Sequence, residues 1–421
     1  MFLRPLSVGL LSTLFLSLLA KAQTNTEDFA HLQFNFNNPG ARAVAMGGTF
    51  LAIADDATAA ESNPAGLTAL IRPEFSLEFK NISYTRNVPH FSTAGTYPTA
   101  FELQAKDFSN SVLGISFLSL VFPKGDWTFS FFRHEMINFE SSFATDKTNI
   151  AYVPGRTDNV AYFPVESDLD IGTANIGLAF GRRLGERLSL GASFGFSQMK
   201  VASRLNRYNF NGDLRQTFTV DDEDADLFFN LGILLHASEK VSFGAIYKGR
   251  PKFNVDLTHQ FGSDTEVSTL NFNIPSSIGG GVAIRPTGRL ITSFDLVFVR
   301  YSSLTEDFVV TEATDLTTGS DFQAQDEMEV HIGSEYVAFL GSMDLFLRGG
   351  VFIEPDNSIE FTGTSNNDYT RSTRFLFTEG DPDTHFSFGL GLVPNDKLQV
   401  DAAVDLSKAS DEVVFSFVYR L

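Results

Sequence analysis

The sequence is poor in several residue types, and each deficit narrows the class of protein. It contains no cysteine, so it can form no disulfide framework, no thiolate nucleophile and no thiolate metal site. Its 31 lysine and arginine residues are outnumbered by 51 aspartate and glutamate residues, and the formal net charge is −20. This balance disfavours binding to nucleic acid and to anionic lipid. We therefore expect no nucleic-acid partner.

Long apolar runs are also scarce, because only the first residues approach the ~18 apolar residues of a membrane-spanning helix. Residues 1–22 have the organisation of a secretory signal peptide. Arg4 supplies positive charge, an apolar run extends from Leu6 to Leu19, and Ala20-Lys21-Ala22 fits a cleavage site. An uncleaved membrane anchor is the alternative, but the run is short for a span. We expect this segment to direct export and to be removed.

Motifs for catalysis and metal binding are missing. The sequence has no Gly-x-Ser-x-Gly, His-Glu-x-x-His or phosphate-binding loop, and its seven histidines are scattered. The alternative is an outer-membrane hydrolase whose catalytic group lies at the rim of a barrel. We expect that the protein is not an enzyme. The acidic run Asp221-Asp222-Glu223-Asp224 with Asp226 offers oxygen ligands for a divalent cation. Because the run lacks the spacing of a calcium loop, we interpret it as a solvated outer loop and expect neither a metal nor a cofactor.

Phenylalanine, by contrast, is abundant, and apolar residues recur with period two. The chain has 44 phenylalanines and one tryptophan, an excess that suits a surface facing lipid or apolar cargo. From Pro73 onward apolar residues alternate with small or polar ones, as in RLSLGASFGFS at residues 187–197. This alternation is typical of a strand between lipid and a lumen. A soluble sandwich with one core face is the alternative.

The connections between the alternating segments sort by length. Short turns such as 123–126 and 184–186 alternate with long polar connections, and only the last connection, 408–411, breaks this rule. The long connections are 88–109, 140–168, 204–225, 257–273, 302–326 and 355–383. We predict an all-β fold, a transmembrane antiparallel β-barrel of about 14 strands in an outer membrane. Since such barrels have short periplasmic turns, both chain ends should be periplasmic.

Before the first strand lies a stretch of small residues from Pro39 to Leu70, which offers little surface for a core of its own. Two aspartates are placed to cap a short helix, and an asparagine is placed to cap the next turn with proline at its first helical position. We interpret the stretch as a small helical plug, or hatch, in the barrel lumen. Its defining residues are Gly47, Gly48, Asp55, Asp56, Asn63, Pro64 and Ala65.

The block NPGARAVAMGGTFLAIADDATAAESNPAGLTAL, from Asn38, resembles the N-terminal hatch of the long-chain fatty-acid transporter family of the Gram-negative outer membrane (the FadL/TodX type). Asn63-Pro64-Ala65 matches that family's hatch motif, and the blocks beginning at Ile274 and Val330 look like its strands. The likeness extends over nearly the whole mature chain, although the segment before the hatch is unusually long and polar. The resemblance implies a monomeric fourteen-stranded barrel, a hatch in its lumen and uptake of hydrophobic compounds such as long-chain fatty acids.

A related barrel group that acts as a shuttle in protein secretion shares similar hatch sequence, and a shuttle or scaffold in secretion is the alternative function. In either case we divide the chain into a signal peptide (1–22), an N-terminal extension and hatch (23–72) and a transmembrane barrel (73–421). The expected partners are hydrophobic small molecules and outer-membrane lipid.

Passage of a fatty chain needs an apolar slot with a few polar groups for its head. By strand parity, the candidate slot residues that point inward are Phe228, Leu234, Ile246, Phe346 and Phe352; packing on the hatch is their alternative role. The charged and histidine side chains expected to point inward and pin the hatch are Asp295, Glu329, His331, Glu335, Arg348, Asp401 and Asp405. Among these Arg348 is the candidate to meet a cargo carboxylate, because it is always cationic.

The third strand places charges on its lipid face. Its odd positions, beginning with Trp127, later include Arg133 and Glu135, and an arginine facing lipid at mid-depth costs about 2–4 kcal/mol. A bulge near Phe132 would turn both charges away from lipid. The family resemblance implies a kink in this strand that opens the wall sideways, so we expect an opening at Phe132, Arg133, His134 and Glu135. The alternative is that the strand ends early, with Arg133 at the headgroups.

Overall fold

The computed structural model describes residues 38–92, 102–144, 165–209, 212–306, 321–341, 343–363 and 379–421. The expected signal peptide and residues 23–37 lie outside the described residues. The described part of the chain begins with two short helices, α1 (Ala41–Ala45) and α2 (Ala59–Ser62), and a 3₁₀ helix (Pro64–Ala69). A second 3₁₀ helix spans Tyr301–Thr305.

The remaining described elements are strands, numbered here in chain order. They are β1 (Glu74–Ser92), β2 (Glu102–Lys124), β3 (Trp127–Ala144), β4 (Val165–Leu184), β5 (Leu188–Tyr208), β6 (Leu214–His236), β7 (Val241–Gly249), β8 (Lys252–Phe261), β9 (Asp264–Asn273), β10 (Ser277–Thr287), β11 (Leu290–Val299), β12 (Phe322–Gln323), β13 (Glu327–Leu340), β14 (Met343–Glu354), β15 (Glu360–Phe361), β16 (Asp383–Asn395), β17 (Leu398–Leu406) and β18 (Ser410–Arg420).

Fourteen of the described strands form a closed antiparallel barrel. The circuit runs through β1–β7, β10, β11, β13, β14 and β16–β18, and β18 pairs back onto β1 from Glu74↔Arg420 to Tyr84↔Ser410. Closure leaves no first or last strand with a free edge along its whole length. The predicted fourteen-stranded barrel is confirmed, and the soluble sandwich is wrong.

Strands β1 to β6 are longer than a membrane requires. They contain between 18 and 23 residues, whereas about 9–11 residues suffice to cross a bilayer. They therefore continue beyond the bilayer at the end of the barrel that has the long connections. The expected loop at 204–225 is wrong, because β6 already begins at Leu214 and includes the acidic run. The expected loop at 257–273 contains most of a hairpin, β8–β9, which joins the upper part of β6.

The alternating pattern orients the strands. In β5, Leu190, Phe194 and Phe196 are exposed on the outer surface, whereas Ser189, Ser193 and Ser197 are buried on the lumen side. The outer face can thus contact lipid, and the small inner face leaves room in the lumen. Among the described residues, no helix is both long enough and apolar enough to cross a membrane.

The hatch lies in the space that these small residues leave. The alanines of α1 and α2 are fully buried, and the hatch contacts the wall at glycines. At each of these glycines an added Cβ would lie 1.9–2.2 Å from a hatch atom, which is a clash. The wall glycines are Gly191, Gly232, Gly244, Gly333 and Gly350. Close packing of backbone against backbone therefore seats the hatch.

Candidate functional site

A buried ion network joins the hatch to the wall. Arg42 of α1 donates to both carboxylate oxygens of Glu335, at 2.8 and 3.0 Å, and also pairs with Asp55. On the wall, Arg348 donates to Glu335 at 2.7 Å and to Asp401 at 2.6 Å. Arg348 thus already holds two carboxylates of the protein, and it lies in the anchor of the hatch. A cargo carboxylate would have to displace one of them.

Further polar contacts fix the first half of the hatch. Asp295 accepts the backbone N–H groups of Phe50 and Leu51, at 2.8 and 2.9 Å, and His331 Nδ1 lies 2.8 Å from the Gly47 carbonyl oxygen. Gly47 and Gly48 have φ of 64° and 77°, in the left-handed region that glycine tolerates. The wall charges nearest the hatch therefore pin it, as expected. Only Asp295, His331 and Glu335 of the seven contact the hatch directly. Arg348 and Asp401 act on it through Glu335, whereas Glu329 binds Tyr301 and lies 3.4 Å from His331, and Asp405 binds His385 and Ser387.

The Asn63-Pro64-Ala65 motif occupies the second half of the hatch. The Asn63 side chain accepts the N–H of Ala65 at 3.2 Å, which confirms the predicted cap. Its amide also donates to the Leu51 carbonyl at 2.8 Å and to the Ile233 carbonyl of β6 at 3.1 Å. One side chain thus closes a turn, joins the two halves of the hatch and ties them to the wall.

The two aspartates act differently from the predicted caps. Asp55 pairs with Arg42, whereas Asp56 accepts the N–H of Thr58 at 2.9 Å, just before α2. Thr58 itself is the N-cap, and its side chain makes no capping bond. Burial raises the pKa of Asp56, although Arg42 and Thr58 oppose this change. Burial lowers the pKa of Arg42, but Asp55, Glu335 and Asp56 outweigh burial and leave it raised, so Arg42 stays charged.

Above the hatch, the lumen contains a large apolar cluster that the sequence reading missed. Its buried members come from at least six strands and include Tyr84, Phe139, Ile171, Val201, Phe218 and Phe253. We call this group the upper apolar cluster. Its other buried members are Ile82, Met136, Ile137, Phe143, Val165, Leu169, Met199, Leu205, Val220, Val255, Leu257, Ile274, Val299, Tyr301, Leu304 and Ala324. Several members lie in segments that we expected to be polar loops. Spacing by two, as at Phe253, Val255 and Leu257, is the signal that would have revealed them.

One buried cation accompanies the upper apolar cluster. Arg207 of β5 is only 2% exposed, and its guanidinium lies 5.3 Å from the ring centre of Phe218. That ring in turn stacks on His259, with 4.4 Å between ring centres. Arg207 thus places a guanidinium against the aromatic part of the cluster.

The five predicted slot residues lie lower in the barrel. Phe228 packs with the hatch residues Phe50 and Leu67, which is the alternative role that we considered for it. Leu234, Ile246 and Phe352 are buried, and Phe346 is half-buried beside Arg348, 5.2 Å from its guanidinium. Phe352 stacks between His331 and His385, with ring centres 5.1 and 4.0 Å away. A role of these side chains in binding cargo stays a prediction.

The wall is interrupted between β2 and β3. Their ladder runs from Lys124↔Trp127 up to Phe117↔His134 and stops there, although β3 continues to Ala144 and remains paired with β4. Register shifts lie at the same height on both sides: Ser116 of β2 is an extra residue in the β1–β2 ladder, and Met136 of β3 is an extra residue in the β3–β4 ladder. We call this interruption the β2–β3 gap.

The gap refines our expectation for the third strand. The bulge lies at Met136 rather than near Phe132, and the alternative of an early strand end is wrong. Below the bulge Phe132 and His134 point inward, and above it Phe139 and Phe143 do. Arg133 and Glu135 are neither fully exposed nor buried, and they pair with each other at 3.1 Å. A small cavity behind them is lined by Lys80, Ile82, Tyr84, Val112, Glu135, Met136 and Asn138.

A hatch glutamate lies next to the base of the gap. Glu61 of α2 is fully buried, and Arg250 and Asn230 each donate to its carboxylate at 3.2 Å. Lys248 and His134 approach the same carboxylate at 3.9 Å. His134 is the last β3 residue of the β2–β3 ladder, so the hatch and the gap share a contact.

A closed fourteen-stranded barrel, filled by its own N-terminal segment and apolar above it, defines a plugged transmembrane β-barrel. The sequence profile of the outer membrane protein transport family (OMPP1/FadL/TodX) matches residues 18–416, and the chain belongs to this family. The family resemblance predicted from the sequence is confirmed. The family's proteins are outer-membrane transport proteins.

Individual relatives are more distant. The long-chain fatty acid transport protein of Salmonella typhi is 26% identical over 254 residues, which span 54% of this chain and 52% of that protein. The chain thus matches about half the length of this relative. A FadL homologue of Pseudomonas aeruginosa superposes with a TM-score of 0.66 at 12% identity and covers 92% of this chain and 100% of its own. The toluene transporter TodX of P. putida gives 0.61 at 16% identity, with 92% and 99% covered. Identities this low show the fold alone.

Proposed function

We propose that this protein is a monomeric channel that takes up hydrophobic molecules, such as long-chain fatty acids or aromatic hydrocarbons, across the outer membrane. Cargo enters at the end with the long connections, passes the upper apolar cluster and leaves sideways into the bilayer through the β2–β3 gap. The short turns and both chain ends face the periplasm, as in other outer-membrane barrels.

One observation carries this proposal. The upper apolar cluster and the cavity behind the β2–β3 gap share Ile82, Tyr84 and Met136. Apolar side chains are therefore continuous from the upper part of the lumen to the interrupted part of the wall. Below this level the lumen is closed by the hatch, whose backbone is seated against wall glycines. A sideways route avoids moving the hatch.

The route can be tested by locking the gap. Because the chain has no cysteine, an Asn110→Cys and Glu140→Cys pair supplies the only thiols, one on each side of the gap, at positions that face each other across it. A short, reducible thiol cross-linker should stop uptake of a labelled long-chain fatty acid or aromatic hydrocarbon, and reduction should restore it. A matched control uses Leu120→Cys and Phe131→Cys, which are outward-facing partners in the intact ladder below the gap. Linking that pair should leave uptake unchanged.

Two results would contradict the proposal. Full uptake with the gap completely cross-linked would show that cargo leaves by another route. Unchanged uptake after removal of the gene, together with failed secretion of surface proteins, would favour the secretion shuttle instead.

A further inference from the structure

Side chains bridge the β2–β3 gap where backbone pairing stops. Arg133 of β3 donates to the backbone carbonyl oxygen of Ile115 on β2, at 2.6 Å. Higher up, the side-chain amide of Asn110 on β2 donates to the carbonyl oxygen of Glu140 on β3, at 2.9 Å. Main-chain acceptors on both edges of the gap are thus satisfied by side chains of the opposite strand. Such bonds can open without unzipping a ladder.

Three of these side chains form one connected unit. Arg133 Nη2 lies 3.1 Å from Glu135 Oε2, and Asn138 Nδ2 donates to Glu135 Oε1 at 2.9 Å. The unit lies over β2 at Gly114, where an added Cβ would be 2.8 Å from Glu135 Oε1 and 3.0 Å from Asn138 Nδ2. Glycine at this position leaves the space that the unit fills. We call Arg133, Glu135 and Asn138 the latch.

The latch separates two environments. Glu135 and Asn138 line the small cavity that adjoins the upper apolar cluster, together with Lys80. On the other side, Arg133 reaches the outer surface, with 33% of its side chain exposed against 17% for Glu135. A molecule that moves from the cavity into the bilayer must therefore displace the latch.

Building on the sideways release proposed above, we propose that the latch closes the β2–β3 gap and favours cargo with an anionic head. The Arg133 guanidinium is held by the carboxylate of Glu135 and by the neutral backbone carbonyl of Ile115. A cargo carboxylate that arrives through the cavity replaces Glu135 on the guanidinium, so the ion pair is exchanged rather than broken. A neutral cargo has no group to exchange, and it must separate Arg133 from Glu135 where few waters compensate the loss. The latch thus acts as a selectivity device at the exit.

The test compares a labelled long-chain fatty acid with the primary alcohol of the same chain length. In wild-type protein the initial uptake rate of the acid should exceed that of the alcohol. Arg133→Gln should lower the acid-to-alcohol ratio by about tenfold, as expected for loss of one hydrogen bond to a charged group. Arg133→Lys keeps the charge and should retain most of the ratio. Arg182→Gln is the matched control, because Arg182 lies over Trp127, 4.9 Å from the ring and away from the gap.

A second variant gives a change of opposite sign. Glu135→Gln removes the carboxylate that competes with the cargo, so it should lower the half-saturating concentration of the acid. It also removes the ion pair that the alcohol has to separate, so the maximal uptake rate of the alcohol should rise while its half-saturating concentration stays unchanged. Equal changes for acid and alcohol in both variants, or no change in either, would overturn the latch. If Arg133→Gln does not assemble, the Glu135→Gln result decides. Wild-type protein that takes up neither molecule would contradict the proposed function instead.

Discussion

Glu335 illustrates how much a single side chain contributes to seating the hatch. It accepts hydrogen bonds from Arg42 of the hatch and from Arg348 of the wall, and its side chain is only 2% exposed. Charges taken out of water are tolerated only when they are paired and hydrogen-bonded. Here one carboxylate between two guanidinium groups meets this condition for all three residues.

Replacing Glu335 by Gln should therefore destabilise the folded protein strongly. The substitution removes the anion between two buried cations, and breaking a buried pair in this way costs about 3–5 kcal/mol. The measurement is the unfolding midpoint in detergent, followed by the heat-dependent mobility shift of the barrel. Glu223→Gln is the control, because its partner Lys200 and Glu223 itself are largely exposed. Equal midpoints for the two variants would show that the buried network does not hold the hatch.

At the scale of elements, the acidic run of β6 has a structural role. The β6–β7 ladder ends at Phe229↔Gly249 and the β6–β8 ladder starts at Val220↔Leu257, and between them β6 has no backbone pairing with β7 or β8. Alternate aspartates bridge the interval: Asp222, Asp224 and Asp226 accept the N–H groups of Asp256, Asn254 and Lys252 at 2.9, 2.7 and 2.9 Å. The run is therefore a row of side-chain acceptors that holds the β8–β9 hairpin.

Asp224→Ala should loosen this hairpin. The Asn254 N–H loses a charged acceptor, and we expect its amide hydrogen exchange to accelerate by about tenfold. Glu223→Ala is a matched control from the same run, because its side chain is exposed on the outer face. The same acceleration in both variants would indicate that net charge, rather than the individual bond, stabilises the hairpin.

At the scale of the whole molecule, the hatch and the barrel depend on each other. Eight strands can be filled by their own side chains, whereas fourteen leave a hole that something else must occupy. The small lumen face of strands such as β5 enlarges that space, and the hatch occupies it with fully buried alanines. The barrier to polar solutes should then lie in the hatch rather than in the wall.

Deleting residues 39–70 should accordingly raise the permeability of the outer membrane to small polar antibiotics and dyes. Gly232→Ala offers a milder change, because its Cβ would lie 2.1 Å from Asn63 Oδ1 and should unseat the motif. Gly172→Ala is its control, because the nearest atom to that Cβ is 3.9 Å away. An assembled barrel without the hatch that stays impermeable would show that the wall or loops close the pore.

Local patterns were enough to predict the class of protein. Period-two alternation reports which face of a strand meets lipid, and short turns separate strands, so fourteen strands could be counted without knowing their partners. The small residues of the hatch and the cap at Asn63 are likewise local features. Inward orientation of Arg348, Glu335 and Asp295 followed from parity alone.

What depends on neighbouring strands appeared only in the tertiary structure. The end of the β2–β3 ladder and the bulge at Met136 result from the register of three adjacent strands, which a single strand's sequence does not contain. Arg348 looked available for cargo because its two carboxylate partners are 13 and 53 residues away. The acidic run looked like a loop because the N–H groups that it binds lie about 30 residues further along the chain. Sequence patterns thus determined the barrel, its strand number and its plug, whereas contacts between distant segments decided where the β2–β3 pairing stops and which charges are already paired.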